Sequence, residues 1–209
     1  MKYIKMLKAP FRISVVMFIL CGFIYPVAVT GLAQLIFPHQ ANGSLIVING
    51  KEVGSEIVGQ NFTDSRFMKC RPSAVGYNVY TDAEKVNGEY QGVASGSANY
   101  AASNAKLAER VKRDIDSFLN ANPSILKEEI PADLMTASGS GLDPHISLAS
   151  AAIQISAIAR KTGLPEEAIA EIVKSNASGK FWGVFGENKV NVLNVNLEIA
   201  KRIGIISVH

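Results

Sequence analysis

The feature that most constrains the fold is an uncharged run near the N-terminus, ISVVMFILCGFIYPVAVTGLA, which occupies positions 13–33. A helix rises about 1.5 Å per residue, so this run would make a helix of roughly 32 Å, close to the thickness of the hydrocarbon core of a bilayer. The sequence therefore predicts one transmembrane helix. We predict a basic cytoplasmic segment at 1–12, the transmembrane helix at 13–37 and one extracytoplasmic domain at 38–209.

Pro26 lies inside this run and removes one backbone donor from the helix. Transmembrane helices accept proline where neighbouring helices or side chains satisfy the freed carbonyl. Small residues of the kind that let helix backbones approach each other in lipid stand nearby, at Gly22, Ala28, Thr30 and Gly31. The pattern favours a kinked helix packed beside other membrane helices. A kinked helix that faces only lipid is the alternative.

The charges before the apolar run predict the orientation of the chain. The basic residues there are Lys2, Lys5, Lys8 and Arg12, and no acidic residue precedes Glu52. The positive-inside bias therefore places the N-terminus in the cytoplasm and the rest of the chain outside. The alternative is a signal peptide cleaved after the small residues at 31–33, although the run is longer than the roughly 7 to 15 apolar residues of a signal peptide.

The charge and cysteine content of the outer domain exclude two classes of protein. Four of the 21 basic residues precede the span, which leaves 17 against 18 acidic residues outside it. No cluster of Lys or Arg with interleaved aromatic residues is present, which excludes a nucleic-acid-binding patch. Cys21 lies in the span and Cys70 stands alone outside it, so the domain has no internal disulfide and no zinc or redox spacing.

The first half of the outer domain mixes signals for strands and helices, which predicts an α+β fold. SLIVING at 44–50 predicts a strand that ends in a tight Asn-Gly turn. Residues 54–100 are rich in Gly, Ser, Asn and Tyr, which predicts long loops with short strands. Apolar residues then recur at helical spacing and predict a helix ended by Pro123, at Leu107, Val111, Ile115 and Phe118.

The second half predicts three more helices and a hairpin. The first helix covers 144–161, and Pro165 lies in the first turn of the next, where its missing N–H does no harm. GKFWGVFGENKVNVLNVN at 179–196 predicts a hairpin with its turn at 186–188. The last helix covers about 195–203, with Gly204 as a left-handed cap.

One stretch, MTASGSGLDPHISLAS at 135–150, combines residue types found in active sites and in helix starts. Asp143 before Pro144 predicts a helix start, because an Asp side chain can accept from the free amides of the first turn and proline has no amide to leave unpaired. The preceding residues then form a flexible lead-in to the helix: Ser138, Gly139, Ser140 and Gly141.

Two chemical hypotheses compete with this structural interpretation. A hydrolase would use His145 as the base, Ser138 or Ser140 as the nucleophile and Asp143 to orient the ring. Asp143 and His145 would point in different directions at a helix start, and no Gly-x-Ser-x-Gly elbow is present. A phosphate cradle would use the glycines before the helix, but the Gly-Lys-Ser/Thr ending of a P-loop is missing.

Several longer motifs follow one another along nearly the whole chain: GSLI at 43–46, GSEIVGQNF at 54–62, RPSAVGYN at 71–78, SGSAN ending at Asn99, PADLMTASGSGLDPHIS at 131–147 and GVFGENKVNVLNVNLEI at 183–199. In these motifs and their order, the sequence resembles the C-subunit family of Kdp-type potassium-transporting ATPases, which are bacterial and archaeal membrane complexes that use ATP hydrolysis to drive potassium inward.

The resemblance implies an accessory subunit with one span and an outer domain. Its partners would be a channel-like potassium-translocating subunit, a P-type ATPase catalytic subunit and a very small fourth subunit. The residues agree with such a role, because one span cannot enclose a pore and the Asp-Lys-Thr-Gly motif of phosphoryl transfer is absent from the sequence. We expect contacts to partner subunits at two loops, through Arg71, Pro72, Ser138, Gly139, Ser140, Gly141, Asp143 and His145.

The resemblance also implies a link to ATP. Members of the family have been described as catalytic chaperones that raise the affinity of the catalytic subunit for ATP, with a helix glutamine that contacts the nucleotide. Gln154 is the matching residue in this sequence. The predicted topology places Gln154 outside, whereas ATP is cytoplasmic, so we expect ATP to act through the complex and assign no cofactor or metal to this chain itself.

Overall fold

The computed structural model describes residues 2–88 and 92–206, with side chains described from residue 6 onward. The side chains of Lys2 and Lys5, residues 89–91 of the predicted loop region and the last three residues lie outside this description. The chain divides into two compact units, Met1–Leu45 and Ile46–His209. A long apolar helix followed by a domain of helices and short strands confirms the predicted α+β fold class.

The first unit is dominated by a continuous helix with an irregular turn. Helix α1 (Lys2–Ile19) leads through a π-helical segment (Leu20–Ile24) into α2 (Tyr25–Ile36), and a short helix, α3 (Pro38–Ala41), follows. Of the helices in residues 2–88 and 92–206, one is long and apolar enough to cross a membrane, and it covers 31 residues, Met6–Ile36. The π-helical turn directly precedes Pro26, at the place where the helix loses a backbone donor.

The second unit begins with a two-stranded hairpin. Strands β1 (Leu45–Ile48) and β2 (Lys51–Ser55) pair with each other, as the SLIVING motif predicts. Asn49 and Gly50 at the turn both have positive φ, 51° and 75°. This conformation fits a two-residue hairpin turn, for which Asn-Gly is a favoured sequence.

A three-stranded antiparallel sheet stands at the centre of the second unit. Its strands are β3 (His145–Ser147), β4 (Ala177–Ser178) and β5 (Lys189–Asn191), in the order β3-β5-β4. In the register of the sheet, Ile146 and Ala177 both lie opposite Val190 on the central strand. Val190 is fully buried, so the sheet contributes directly to the core.

Five helices surround or connect these strands. They are α5 (Ala105–Ala121), α6 (Leu148–Ala152), α7 (Ile155–Thr162), α8 (Glu166–Ser175) and α9 (Val192–Arg202). The apolar faces of these helices and the sheet enclose one core, whose fully buried members include Met68, Ile169, Ile172, Val190, Val195 and Ile199. The helix that ends before Pro123 and the helix after Pro165 are both confirmed, and Gly204 beyond α9 has the expected positive φ of 72°.

The region from 54 to 100 contains less regular structure than predicted. Beyond β2, no further named strand occurs in its described part, and a short helix, α4 (Asp82–Val86), is present instead. Thr81 caps this helix: its hydroxyl accepts from the N–H of Glu84, and the Glu84 carboxylate accepts from the N–H of Thr81. Thr81 and Glu84 thus form a capping box.

The predicted helix over 144–161 is wrong at its start. Residues 145–147 form strand β3, and the helical part is split into α6 and α7. Ser147, not Asp143, is the N-cap, because its side chain accepts from the N–H of Ser150. His145 pairs with Asn191 in the sheet, so the segment after Pro144 is held extended.

The predicted C-terminal hairpin is also corrected in its details. The second strand, β5, directly follows the predicted turn, but its partner is β4 at 177–178, which precedes the run 179–185 that the sequence favoured as the first strand. Residues 181–185 instead form a tight loop closed by a bridge between Phe181 and Phe185. The last helix begins at Val192 rather than at Val195, because the Asn191 side chain caps it by accepting from the N–H of Asn194.

Candidate functional site

Three loop segments of the second unit meet where the sequence predicted partner contacts. We call this region the loop junction and define it by residues 71–79, 93–96 and 138–143. It brings Arg71 and Pro72 of the first segment together with Ser138–Asp143 of the third, although these segments lie about 70 residues apart in the chain. His145 follows directly in strand β3.

Asp143 is the charged centre of the loop junction. Its Oδ2 accepts from Arg71 Nη1 at 3.1 Å, and its Oδ1 accepts from the backbone N–H of His145 at 3.0 Å. Burial alone would raise the pKa of Asp143, but the contacts with His145 and Arg71 outweigh burial and hold this pKa at about 2. The carboxylate is therefore ionised at neutral pH and forms a partly buried ion pair with Arg71.

Ser138 and Ser140, the two serines of the hydrolase hypothesis, serve the loop itself. Ser138 is buried; its N–H donates to the Pro72 carbonyl at 3.0 Å, and its Oγ accepts from the N–H of Gly141 at 3.1 Å. Ser140 Oγ accepts from the N–H of Leu142 at 3.1 Å. These bonds stabilise a compact turn and tie it to the segment that begins with Arg71.

Gly141 is required by the close approach of the segments. It has a φ of +69°, and a Cβ at this position would lie 2.7 Å from Val75 Cγ2 and 2.8 Å from the Gly96 carbonyl oxygen. The Gly141 carbonyl accepts from Ser73 Oγ at 2.6 Å. Gly139, two residues earlier, has open space around it, so only one of these two glycines is fixed by packing.

Tyr77 belongs to the first segment of the loop junction, and Cys70 directly precedes that segment. The Tyr77 hydroxyl donates to the Arg71 carbonyl, and the ring packs so closely that a Cβ on Gly59 would lie 2.6 Å from Tyr77 Cε1. Burial raises the pKa of Tyr77 and also raises the pKa of Cys70, to about 11. Cys70 is therefore a neutral thiol at physiological pH, which excludes it as an activated nucleophile.

The hydrolase hypothesis has no catalytic pair in this geometry. His145 Nδ1 lies 3.6 Å from Asp143 Oδ1, beyond hydrogen-bond distance. Within the described part of the chain, neither Ser138 nor Ser140 forms a hydrogen bond with His145, and their hydroxyls bond to the loop and to each other. The described part of the chain also contains no group of three or more His, Cys, Asp or Glu residues that could hold a metal ion.

Gln154 acts as a buried clamp on a neighbouring segment. Its Oε1 accepts from the N–H of Lys69 at 2.8 Å, while its Nε2 donates to the carbonyls of Ser150 at 3.0 Å and Lys69 at 3.3 Å. Both amide hydrogens and the amide oxygen are thus engaged. A nucleotide contact through this side chain would require these bonds to be broken.

Asn196 forms a second clamp that the sequence analysis missed. From helix α9, its Oδ1 accepts from the N–H of Met68 at 2.8 Å and its Nδ2 donates to the Met68 carbonyl at 2.9 Å. Together, Gln154 and Asn196 form hydrogen bonds with the backbone N–H and C=O groups of two consecutive residues, Met68 and Lys69, which belong to no strand. Only the asparagine-rich sequence of α9 hinted at such a role, since a buried Asn in a helix needs polar partners.

A large cleft adjoins these residues. It has a volume of about 950 Å³, and its basic lining residues are Lys69, Arg71, Arg160 and Lys161. Burial lowers the pKa of Lys69, whose ammonium donates to the carbonyls of Phe62 and Asp64. Gln154 lies at the wall of the cleft, but its amide is committed to the clamp.

Comparison with known proteins identifies the family. Residues 7–201 match the family model described as KdpC, the c chain of K⁺-transporting ATPase. The chain is 57% identical to a potassium-transporting ATPase KdpC subunit of Clostridium kluyveri over 98% of both chains. It is 52% identical to one of Clostridioides difficile, over 97% of this chain and all of that protein.

A third relative shares less of the sequence but matches nearly the same length. The KdpC subunit of Caldanaerobacter subterraneus is 45% identical, over 94% of this chain and 95% of that protein. Identity at this level over nearly the full length includes both the membrane-spanning helix and the loop junction, and it confirms the resemblance found in the motifs. The chain belongs to the KdpC family, the c chain of K⁺-transporting ATPase.

Proposed function

We propose that this chain works as the accessory subunit of a Kdp potassium-transporting ATPase by docking its loop junction onto the outer surface of the potassium-translocating subunit. As a KdpC subunit it is non-catalytic. The match to the KdpC family over residues 7–201, which includes its one membrane-spanning helix, carries the assignment. Its further partners in this proposal are the P-type ATPase catalytic subunit and the small fourth subunit.

The proposed orientation places the second unit outside the cell membrane. Four basic residues precede the uncharged run at 13–33, and the first acidic residue of the chain is Glu52. The positive-inside bias then retains the N-terminus in the cytoplasm. In this orientation the folded domain lies on the side from which potassium enters, while ATP is bound and hydrolysed by another subunit on the opposite side.

The loop junction supports docking because it is rigid and carries exposed apolar side chains. Hydrogen bonds connect its segments, from Gly96 N–H to the Ser140 carbonyl and from Ser138 N–H to the Pro72 carbonyl. Val79 and Val93 stand on its edges with 60% and 81% of their surface exposed. Rigid loops with exposed apolar residues lose little entropy when they bind, which favours a specific interface.

The link to ATP is then indirect in our proposal. Gln154 holds Lys69 in place with its whole amide group, so it shapes the domain rather than binding the nucleotide. Any effect of this subunit on the ATP affinity of the complex would pass through contacts between subunits. Such coupling requires an element with two states whose equilibrium both sites influence.

A copurification experiment tests the docking surface. The tagged full chain is purified in mild detergent from membranes that contain the other Kdp subunits, and potassium-stimulated ATPase activity is measured. We expect Val93→Asp to reduce both the yield of partner subunits and this activity, because a charge would be buried at the interface without a partner. Leu126→Asp is the matched control, since Leu126 is 65% exposed and lies outside the loop junction.

The outcomes separate the two parts of the proposal. Loss of partners with Val93→Asp but not with Leu126→Asp supports docking through the loop junction. Equal yields from both variants would place the interface elsewhere on the domain. A wild-type chain that copurifies with no P-type ATPase would contradict the assignment to a Kdp complex altogether.

A further inference from the structure

The loop between β4 and β5 exposes an unusual amount of apolar surface. We call residues 181–185 the aromatic tip. Its large side chains are mostly exposed, by 66% at Phe181, 83% at Trp182, 72% at Val184 and 63% at Phe185. All residues from 178 to 189 are exposed, so the tip does not pack on its own domain. Clustered exposed apolar residues of this kind mark a binding surface.

The backbone of the aromatic tip is largely satisfied by internal hydrogen bonds. Phe181 and Phe185 exchange two bonds, of 2.8 and 3.0 Å. The N–H of Gly183 donates to the Lys180 carbonyl at 3.1 Å, and the N–H of Val184 donates to the Phe181 carbonyl at 3.2 Å. Water would satisfy these groups equally well, whereas a nonpolar environment requires internal partners. Because these backbone groups are paired within the loop, the loop can enter a nonpolar environment without leaving them unpaired.

The side chains at the tip also match a membrane interface. The rings of Phe181 and Trp182 are stacked, with centroids 5.0 Å apart and planes at 17°. Trp is enriched at the level of the lipid headgroups, where its ring is partly apolar and its N–H remains hydrated. Lys180 and Lys189 flank the tip and Glu187 is the acid between them, which leaves a net positive rim suited to anionic headgroups.

A short connection tethers the domain that carries this loop to the membrane-spanning helix. The membrane-spanning helix ends at Ile36 and the second unit begins at Ile46. A connection of this length reaches at most about 35 Å when fully extended. Tethering raises the effective concentration of lipid at the domain, so that even weak insertion is favoured.

We propose that the aromatic tip inserts into the interfacial layer of the lipid bilayer, with Trp182 among the headgroups and acyl-chain ends and Lys180 and Lys189 on anionic phospholipids. The tip is then a second membrane attachment that limits how the domain can rotate on its tether. This inference requires the membrane-spanning helix but neither the proposed orientation nor the docking of the loop junction.

Trp182 makes the proposal directly measurable, because it is the only tryptophan of the chain. The full chain is reconstituted into vesicles of phosphatidylcholine and phosphatidylglycerol, without other subunits. We expect blue-shifted emission, strong quenching by lipids brominated on the acyl chains and protection from acrylamide in the water. Phe185→Ser should weaken bromolipid quenching, since it removes part of the inserted apolar surface.

Two further variants control for tethering and charge. In the double variant Trp182→Phe/Val86→Trp, the sole tryptophan moves to another exposed position, since Val86 is 85% exposed on α4. Its emission should respond to acrylamide and not to bromolipids. Lys180→Glu/Lys189→Glu should reduce the quenching of Trp182 in anionic vesicles far more than in vesicles of phosphatidylcholine alone, because only the former attract the basic rim.

Two results would overturn the proposal. One is full access of acrylamide to Trp182 with no bromolipid quenching in vesicles of either composition. The other is a blue shift that appears only when the remaining Kdp subunits are present and that bromolipids do not affect. The second result would assign the tip to a protein groove instead of lipid.

Discussion

The guanidinium of Arg71 lies 3.1 Å from the carboxylate of Asp143 and joins two loops that are 72 residues apart in the chain. The same carboxylate accepts from the backbone of His145, at the start of strand β3. Asp143 therefore connects the first segment of the loop junction to the central sheet.

Loss of the Asp143 carboxylate should loosen the loop junction. We expect Asp143→Ala to lower the free energy of unfolding of the domain by about 1–2 kcal/mol. This is the usual contribution of a hydrogen bond to a charged group, reduced because the pair is partly exposed. Pulse proteolysis in urea on the full chain in nanodiscs measures this change. Arg71→Ala and the double variant complete a mutant cycle; fully additive losses would show that the two side chains do not interact.

Acid should weaken the same contact. The pKa of Asp143 in the folded chain is about 2, below the value of about 3.9 in an unfolded chain. Stability from this carboxylate is therefore fully present above about pH 4 and is lost as the pH falls towards 2. We expect the free energy of unfolding to fall across this interval, and to fall less steeply in Asp143→Asn.

Asp64 provides the comparison for the acid effect. Its pKa is also lowered to about 2, chiefly by hydrogen bonds from Arg66, but this pair is local and exposed. Asp64→Asn should therefore leave most of the acid dependence in place. If Asp143→Asn has the same pH profile as wild type, the contacts of this carboxylate with His145 and Arg71 contribute nothing to stability in this range.

The two glycines of the lead-in should respond differently to a methyl group. Gly141→Ala would place a Cβ within 2.8 Å of the Gly96 carbonyl oxygen at a φ of +69°, so we expect a loss of about 1–3 kcal/mol and poor complex yield. Gly139→Ala has open space at an ordinary φ, so this variant should retain the stability and the complex yield of the wild-type chain. Equal behaviour of the two variants would contradict the close packing at Gly141.

Removal of either amide clamp should destabilise the domain to a similar extent. Gln154→Ala leaves the backbone of Lys69 without its partners, and Asn196→Ala does the same to Met68. Each unpaired buried group costs about 1–3 kcal/mol, measured again by pulse proteolysis. Asn196 is absent from the lining of the cleft, which makes it a matched control for the role of Gln154 in ATP affinity.

The ATP readout distinguishes a clamp from a nucleotide ligand. In the reconstituted complex, we expect both variants to alter the KM for ATP by a similar factor, or neither to alter it. A change confined to Gln154→Ala, together with protection of the isolated chain by ATP against proteolysis, would show that Gln154 binds nucleotide directly.

The sequence was most informative where local signals were sufficient. The apolar run predicts the long helix, Asn49-Gly50 predicts the first turn, and the spacing of Leu107 and its successors predicts α5. The order of the motifs along the chain was sufficient to indicate the family. Each of these signals depends on neighbouring residues or on a pattern of residues in the chain itself.

Asp143 shows why the site was harder to predict. Asp before Pro fits a helix N-cap, but it fits equally well a turn in which the carboxylate accepts from the N–H two residues on. The second conformation is present, because Arg71 and the pairing of β3 with β5 stabilise it. These partners are remote in sequence, as are those of Gln154 and Asn196, so no local pattern discloses them.

The clamps also determine when this protein can fold during its synthesis. The segment around Met68 depends on Asn196, 128 residues later, and the Glu56 carbonyl depends on the side chain of Asn191, 135 residues later. The first third of the domain therefore cannot complete its folding, and stays exposed to proteases, until nearly the whole chain has been translated and inserted. We expect nascent chains that end before residue 190 to be cut within 56–70, and full-length chains to resist.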